Sequence, residues 1–443
     1  MGEKLPGYKG EALKSLREAE AEIGDILRVS RKGEEQKGVL IPRSELGDER
    51  HIVLKLENGY NIGIRITRDT KIENIGKGRK PTFSTPSLPK QNPKLPNVTI
   101  LSTGGTIASR VDYRTGGVRS ALTANDLYSV VPELSDIAII DTEILLSVFS
   151  ENIAPSHWTL IAERIAGHIN KGVAGVVVAH GTDTMGYTAA ALSFALQNLP
   201  VPVILVGSQR SADRPSSDAA TNLIGAVKAA AEAPFAEVVV AMHETISDKA
   251  IIYHRGTKVR KCHTSRRDAF KSINTTPLAR LEDDRISMLT DRYRERNTQR
   301  KLIQKPTFEE QVALIKFHPG TDERAIEWYV ENHFKGIILE GTGLGHASRR
   351  CFPAIEKAVQ NSVLVGMTSQ CLWGRIDMNV YDTGRDLLSI GVTPLEDMLP
   401  ETALVKMMWA LKQTESREEA RTLLTKNIAH EFSDRTLLDA NPR

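Results

Sequence analysis

The sequence has few of the residues and segments that mark secreted, membrane-spanning or zinc-binding proteins. Only 3 of its 443 residues are cysteine, and Cys262, Cys351 and Cys371 are too scattered for a disulfide framework or a metal site. We therefore expect no metal in this chain and a reducing, cytoplasmic location. Residues 1–21 are charged and lack the apolar centre of a secretory signal. No apolar run approaches the ~20 residues of a membrane helix, so we expect no membrane association.

Strong charge of either sign is also missing, since the formal net charge is only +3. A chain so close to neutral has no global field that would attract nucleic acid. Residues 1–95 carry a local excess of lysine and arginine, whereas the remainder is close to neutral. That excess is compatible with an RNA or partner surface, but an ordinary solvated face is the favoured interpretation.

The first 80 residues predict a small β-barrel domain. Residues 11–21 have the composition of a short exposed helix. Four short, partly alternating apolar runs follow, and Glu57-Asn58-Gly59 forms a strong hairpin signal between the last two. These predicted strands are residues 26–29, 38–42, 51–56 and 61–66.

Proline then separates this domain from the rest of the chain. Residues 81–96 contain five prolines and predict a semi-rigid linker. Beyond it, strands and helices alternate, which indicates an α/β fold with a mainly parallel sheet. We expect a larger, doubly wound α/β domain over residues 97–285, an exposed arginine-rich connector over 286–309, and a smaller α/β domain with C-terminal helices over 310–443.

The elements predicted within these two domains are short apolar strands and helices. The strands are residues 98–102, 173–179, 201–206, 237–242, 311–316, 336–339 and 362–367. The helices are residues 187–197, 219–231, 323–332, 354–360 and 400–411.

Two turns rich in glycine and hydroxyl groups follow predicted strands. The first contains Gly104, Gly105 and Thr106, and the second is His180-Gly181-Thr182-Asp183. Parallel strands present their carboxyl ends to one crevice, so Thr106 and Thr182 are predicted to face the same ligand. A tight turn with a helix-capping threonine remains the alternative for each.

A threonine hydroxyl is a weak nucleophile unless a base takes its proton. His180 is one candidate base, but it precedes the turn and is equally consistent with a hydrogen-bonded residue at a strand end. A lysine can serve if burial lowers its pKa from ~10.4 to roughly 7 to 8. If Val259 faces inward, period-2 alternation makes Lys261 the buried lysine and Lys258 the solvated one. The alternative is a basic, exposed strand carrying both lysines.

These motifs together resemble the L-asparaginase/glutaminase family of the bacterial type. The resemblance covers residues 97–415 and rests above all on residues 103–109 and 180–185. Further matches are Ser150-Glu151 with Trp158, residues 206–210 with Asp218 and Asn222, and residues 268–274.

The resemblance implies roles by position. Thr106 corresponds to the nucleophile, Thr182 to the second threonine, and Lys261 to the lysine nine positions before Phe270. Asp183 and Ser150 correspond to residues that hold the α-ammonium and α-carboxylate of the substrate. The remaining substrate-binding positions that we assign are Gly105, Glu151 and Tyr113, with backbone amides of the glycine turns as the oxyanion hole.

A barrel and a proline linker ahead of such a fold are similar to the D-subunit family of archaeal glutamyl-tRNA(Gln) amidotransferases. That similarity implies glutamine hydrolysis in this chain and transfer of the ammonia to the amidotransferase E subunit, which uses ATP and Mg²⁺ to amidate Glu-tRNA(Gln). It also implies a homodimer core within a heterotetramer, with no cofactor in this chain. Alternatives are a free-standing asparaginase or glutaminase whose barrel mediates oligomerisation, and a non-catalytic RNA-binding scaffold. Residues 292–301 are a candidate tRNA surface or a solvated linker.

Overall fold

The structure is a computed structural model that describes most of the chain. The described residues are 5, 7–31, 33–43, 48–56, 61–77, 92–104, 109–111, 118–120, 127–128, 131–210 and 217–436. Gly105, Thr106 and Tyr113 lie outside these residues, as do the predicted turn at 57–59 and most of the proline linker.

The N-terminal domain is a helix packed on one antiparallel sheet, consistent with a barrel-like fold. Its strands lie in the order β4-β3-β2-β1-β5. The elements are α1 (Gly10–Glu18), β1 (Asp25–Arg31), β2 (Glu34–Leu40), β3 (His51–Lys55), β4 (Asn61–Arg65) and β5 (Lys71–Lys77).

Two features of this domain differ from the sequence prediction. The helix predicted as exposed buries Ala12 and Leu16 completely, because residues four apart share one face that joins the domain core. The strand β5 was not predicted, since nearly all its side chains are exposed and it shows no apolar alternation.

The larger α/β domain is built on an eight-stranded sheet in the order β18-β17-β14-β13-β12-β10-β6-β9. The five strands from β13 to β9 in that order are parallel, and the others are antiparallel. The sheet strands are β6 (Asn97–Ser102), β9 (Ile139–Ile144), β10 (Gly175–Ala179), β12 (Val203–Val206), β13 (Val238–His243), β14 (Ala250–Arg255), β17 (Ala279–Glu282) and β18 (Arg285–Met288). Three short pairs lie outside it: β7 (Ser109–Val111) with β8 (Val118–Ser120), β11 (Leu196–Gln197) with β19 (Ile303–Gln304), and β15 (Val259–Lys261) with β16 (Phe270–Ser272).

Helices cover both faces of this sheet, as a doubly wound fold requires. Alternate residues of β10 show it: Val176 and Val178 join one apolar cluster, and Val177 and Ala179 join the other. The helices α3 (Pro155–Asn170) and α4 (Met185–Ala195) pack in the first cluster, whereas α2 (Leu134–Ile137) and α5 (Ala219–Glu232) pack in the second.

The smaller α/β domain has a parallel sheet in the order β20-β21-β22-β23. Its strands are β20 (Val312–Lys316), β21 (Gly336–Gly341), β22 (Leu364–Ser369) and β23 (Thr393–Pro394). Its helices are α6 (Arg324–Glu331), α7 (Phe352–Gln360), α8 (Asp382–Ile390), α9 (Pro400–Gln413) and α10 (Arg417–Thr425). Helix α9 joins the two domains, since Trp409 stacks on Phe194 of α4 with ring centroids 5.9 Å apart.

The arginine-rich connector is less exposed than predicted. Arg296 is half-buried and donates to four main-chain carbonyls at the end of α5, where helix carbonyls run short of partners within the helix. Arg300 donates to the carbonyls of Leu199 and Glu295. These two guanidinium groups bind the chain's own main chain, so they fix the connector rather than form a free basic surface. Within the described part of the chain, every helix is too short or too polar to span a lipid bilayer.

Candidate active site

The two threonine motifs begin side by side at the carboxyl edge of the large sheet. Strands β6 and β10 are parallel neighbours in which Ser102 is paired with Ala179. Thr103 extends this contact, because both its main-chain N–H and its hydroxyl donate to the Ala179 carbonyl over 3.0 Å. The predicted nucleophile Thr106 follows three residues later, so its loop starts beside the loop that carries Thr182.

Gly104 allows the first loop to turn where it does. It has φ +111°, a conformation that L side chains rarely adopt, and a Cβ there would lie 2.2 Å from the Val148 carbonyl oxygen. Only glycine therefore fits between the end of β6 and the segment that leads to Ser150.

Thr182, Asp183 and Lys261 converge as the sequence predicts. The Lys261 Nζ lies 2.8 Å from the Thr182 Oγ1 and 2.8 Å from the Asp183 Oδ1. Lys261 ends β15, and the antiparallel β15–β16 hairpin pairs it with Phe270. Its side chain is 13% exposed, whereas that of Asp183 is 69% exposed. The mostly buried amine of Lys261 thus bridges the Thr182 hydroxyl and the Asp183 carboxylate at the edge of the crevice.

The prediction that Lys258 is solvated is wrong. Lys258 is 1% exposed, and its Nζ lies 2.7 Å from the Asp397 Oδ2. It precedes β15 and sits in a turn, so the period-2 rule that correctly favoured Lys261 does not apply to it.

His180 is a hydrogen-bonded strand-end residue rather than an available base. Its Nδ1 lies 2.7 Å from the Gly181 carbonyl, and its Nε2 lies 2.9 Å from the Thr188 hydroxyl. The carbonyl can only accept, so Nδ1 carries the proton and Nε2 accepts from Thr188. Trp158 in turn donates to the Thr188 hydroxyl. Burial lowers the pKa of His180 from 6.5 to about 4, which keeps this network neutral.

Ser150 lies against the Thr182 loop. It is buried in a short 3₁₀ turn over Ser150–Asn152, and its carbonyl accepts from the Thr184 hydroxyl over 2.7 Å. A Cβ on Gly181 would come within 2.7 Å of the Ser150 Cβ and 2.9 Å of its Oγ. Glu151 is exposed beside it. The structure therefore brings Ser150 to the second threonine motif and leaves the Glu151 carboxylate accessible.

A third loop at the same edge is held by residues to which sequence reasoning gave no role. The buried Asp218 carboxylate accepts from the main-chain N–H groups of Gln209 and Arg210, and from the Asn222 side chain. The position of this loop matters because a Cβ on Gly207 would lie 2.8 Å from the Thr182 Cγ2. The signal was present in the sequence as an aspartate four residues before an asparagine at the start of a helix.

The described residues hold no cluster of three or more histidine, cysteine or acidic side chains that could bind a metal ion.

This frame and its convergent threonine, aspartate and lysine define an asparaginase-type amidohydrolase. The family model for the asparaginase N-terminal domain matches residues 97–294, and that for the glutaminase/asparaginase C-terminal domain matches residues 311–424. The thermostable L-asparaginase from Thermococcus kodakarensis superposes with a TM-score of 0.70 at 32% identity, covering 76% of this chain and 100% of that one. L-asparaginase I from Vibrio cholerae gives a TM-score of 0.67 at 29% identity, with 76% and 99% covered.

The N-terminal domain narrows the assignment. A third family model, the GatD N-terminal domain, matches residues 21–75. The glutamyl-tRNA(Gln) amidotransferase D subunit of Methanopyrus kandleri is 49% identical over 97% of this chain and 95% of its own length. That of Metallosphaera sedula is also 49% identical, over 99% of each chain. The chain belongs to the family of glutamyl-tRNA(Gln) amidotransferase D subunits.

Proposed function

We propose that the chain hydrolyses the side-chain amide of glutamine and supplies the ammonia for tRNA-dependent amidation of Glu-tRNA(Gln). The observation that carries this proposal is the Thr182–Lys261–Asp183 cluster in a chain similar to amidotransferase D subunits over nearly its whole length. A hydroxyl and an amine beside an accessible carboxylate suit an amino-acid amide, because the carboxylate can pair with the substrate's α-ammonium group.

The proposed reaction proceeds through a covalent ester on Thr106. The Thr106 hydroxyl oxygen attacks the amide carbon, and its proton is transferred by way of Thr182 and Lys261. The carbon–nitrogen bond then breaks, and the nitrogen leaves as ammonia with that proton. Water, activated by the same pair, cleaves the ester and releases glutamate.

Binding groups complete the proposed site. Asp183 and Ser150 hold the charged ends of the amino acid, and Glu151 and Tyr113 contribute to the substrate pocket. Main-chain N–H groups around Gly105 stabilise the tetrahedral oxyanion, and such donors contribute about 3 to 4 kcal/mol each in other hydrolases.

We further propose that the ammonia passes to the amidotransferase E subunit, which binds ATP and Mg²⁺. The sequence shows no glycine-rich nucleotide loop, which supports placing ATP chemistry on a partner. The assembly is proposed to be a heterotetramer around a homodimer of this chain, to bind tRNA(Gln) as a complex, and to work in the cytoplasm. Three free cysteines, two of them exposed, are compatible with a reducing compartment.

The test measures glutamate release from glutamine by the chain alone, with the E subunit, and with the E subunit plus tRNA(Gln). Weak activity alone and a marked increase on adding both is the expected result. Full activity in the isolated chain, unchanged by either addition, would contradict the proposal.

A free-standing asparaginase is the second candidate, because both solved neighbours are L-asparaginases. The superposition covers 99% or more of each L-asparaginase but only 76% of this chain. The two L-asparaginases therefore have no counterpart for the N-terminal domain. Co-purification with a second, larger subunit of another sequence distinguishes the two candidates. The hydrogen bond between the Lys261 amine and the Thr182 hydroxyl argues against a non-catalytic scaffold.

A further inference from the structure

The β15–β16 hairpin that carries Lys261 is tied at its base to the smaller domain. Thr257 and Lys258 precede β15, and Asn274 follows β16. The Asn274 side chain donates to the carbonyl of Gly374 over 2.9 Å and accepts from the main-chain N–H of the same residue over 2.8 Å. The two strands of the hairpin are themselves joined at this end, because the Ile273 N–H donates to the Lys258 carbonyl.

A further tie is the buried ion pair of Lys258 and Asp397. Lys258 donates to the Asp397 Oδ2 over 2.7 Å and to its main-chain carbonyl over 3.3 Å. The other carboxylate oxygen accepts from the Ser433 N–H. Lys258 is 1% exposed and Asp397 is 4% exposed. Charges buried this deeply are stable only while they stay paired, so the pair resists separation of the hairpin from the smaller domain.

The first turn of α9 holds the same side of the hairpin at two further points. The Thr402 hydroxyl donates to the Thr257 carbonyl over 2.9 Å. Arg260 pairs with Glu401 over 3.3 Å. Arg260 and Lys261 are neighbours on one strand, so their side chains point to opposite faces. The face of β15 that carries Arg260 is therefore held by the smaller domain, and the opposite face presents Lys261 to Thr182.

We infer that Asp397, acting through Lys258, is a positioning residue that holds Lys261 against Thr182. The inference rests on the proposed function, in which the Lys261 amine moves the proton of the nucleophile. Within the described part of the chain, neither Asp397 nor Lys258 contacts Thr182 or Asp183. Their effect on the position of Lys261 therefore passes along the strand. A displacement of about 1 Å at a reacting group can lower a rate by about a hundredfold.

The test compares three variants of the full-length chain, each assayed with its partner subunit. Asp397→Asn keeps an acceptor for Ser433 but removes the carboxylate that contacts the buried Lys258 ammonium. Lys258→Met combined with Asp397→Asn removes that unpaired charge as well as the tie. Lys228→Met is the matched control, since Lys228 is also a buried lysine in an ion pair, with Asp284 over 2.7 Å, but it lies on α5 rather than on the hairpin.

We expect kcat to fall about ten- to a hundredfold in Asp397→Asn, with less than a threefold change in KM. The double variant should regain thermal stability and keep the low kcat. Lys228→Met should change stability without a comparable loss of kcat. Crystal structures of the single and double variants should show the Lys261 Nζ moved from its position 2.8 Å from the Thr182 Oγ1.

Recovery of wild-type kcat in the double variant would assign the pair a purely stabilising role and overturn the inference. An unchanged kcat in Asp397→Asn would overturn it as well. If the wild-type complex releases no glutamate, the proposed function fails on its own. The Nζ–Oγ1 distance in the variant structures then still decides the positioning claim, since an unmoved Lys261 contradicts it.

Discussion

The imidazole of His180 links the sheet core to the loop that carries Thr182, and it does so only in its neutral form. Its Nε2 must accept from Thr188 while its Nδ1 donates to Gly181, and burial lowers its pKa to about 4. An imidazolium has no acceptor and would break this chain of hydrogen bonds.

This residue predicts a pH dependence of folding stability. Between pH 6.5 and about 4 the unfolded chain binds a proton at position 180 that the folded chain does not. Stability contributed by neutral His180 is therefore present above pH 6.5 and is lost as pH falls towards 4, by up to about 1.4 kcal/mol per pH unit.

Denaturant unfolding of the wild type and of His180→Asn between pH 4 and 7 measures this effect. Asparagine keeps a donor for the Gly181 carbonyl and does not titrate, so the variant should show the shallower slope. Equal slopes in the two proteins would contradict the assignment of a buried, neutral histidine.

The period-2 alternation rule predicts side-chain burial within strands but not in the turns beside them. Alternation identified Lys261 because Lys261 lies within β15. It misplaced Lys258, whose partner Asp397 is 139 residues away in the chain. No local pattern predicts such a contact, because it depends on how the smaller domain packs against the hairpin.

At the scale of elements, the 3₁₀ turn over Ser150–Asn152 meets the Thr182 loop at a point where no side chain fits. Gly181→Ala would place a methyl group 2.7 Å from the Ser150 Cβ. We expect it to displace Ser150 and to raise the KM for glutamine by roughly tenfold, which corresponds to about 1.4 kcal/mol of lost binding.

Gly167→Ala on α3 is the matched control, since a Cβ there meets nothing within 4 Å. It should leave KM unchanged and raise helix stability by about 1 kcal/mol. An unaltered KM in Gly181→Ala would mean that Ser150 does not contribute to substrate binding.

The elements that the sequence predicted best are those with an unambiguous apolar pattern. The core strands β10, β12 and β13 and the long helices α4 and α5 were found within a few residues of their limits. The short α8 was missed although Leu387 is buried and Leu388 and Ile390 pack against the same core, and the sixteen-residue α3 was missed as well. For the short, half-buried strand β15, the sequence correctly predicted that Val259 and Lys261 share one face. Its pairing with β16 was not predicted.

At the scale of the whole molecule, the two α/β domains share an apolar cluster beside their separate cores. Helix α9 packs on α4 and on the sheet of the smaller domain, so residues of both domains join a single apolar cluster. The sequence predicted both domains and the barrel-like module from alternation and motifs. It could not predict that the smaller domain holds the hairpin of Lys261, because that contact joins residues 139 positions apart in the chain.

The most direct test of the account measures amidation of Glu-tRNA(Gln) by the full complex carrying Lys261→Met, with glutamine or with ammonium chloride as the nitrogen donor. We expect glutamine-dependent amidation to fall at least a hundredfold, and ammonium-dependent amidation to persist. Thr106→Ala should behave in the same way. Lys271→Met, which alters the opposite face of the hairpin, should retain both activities. Loss of both activities in Lys261→Met, or retention of both, would contradict the claim that this amine serves to release ammonia from glutamine.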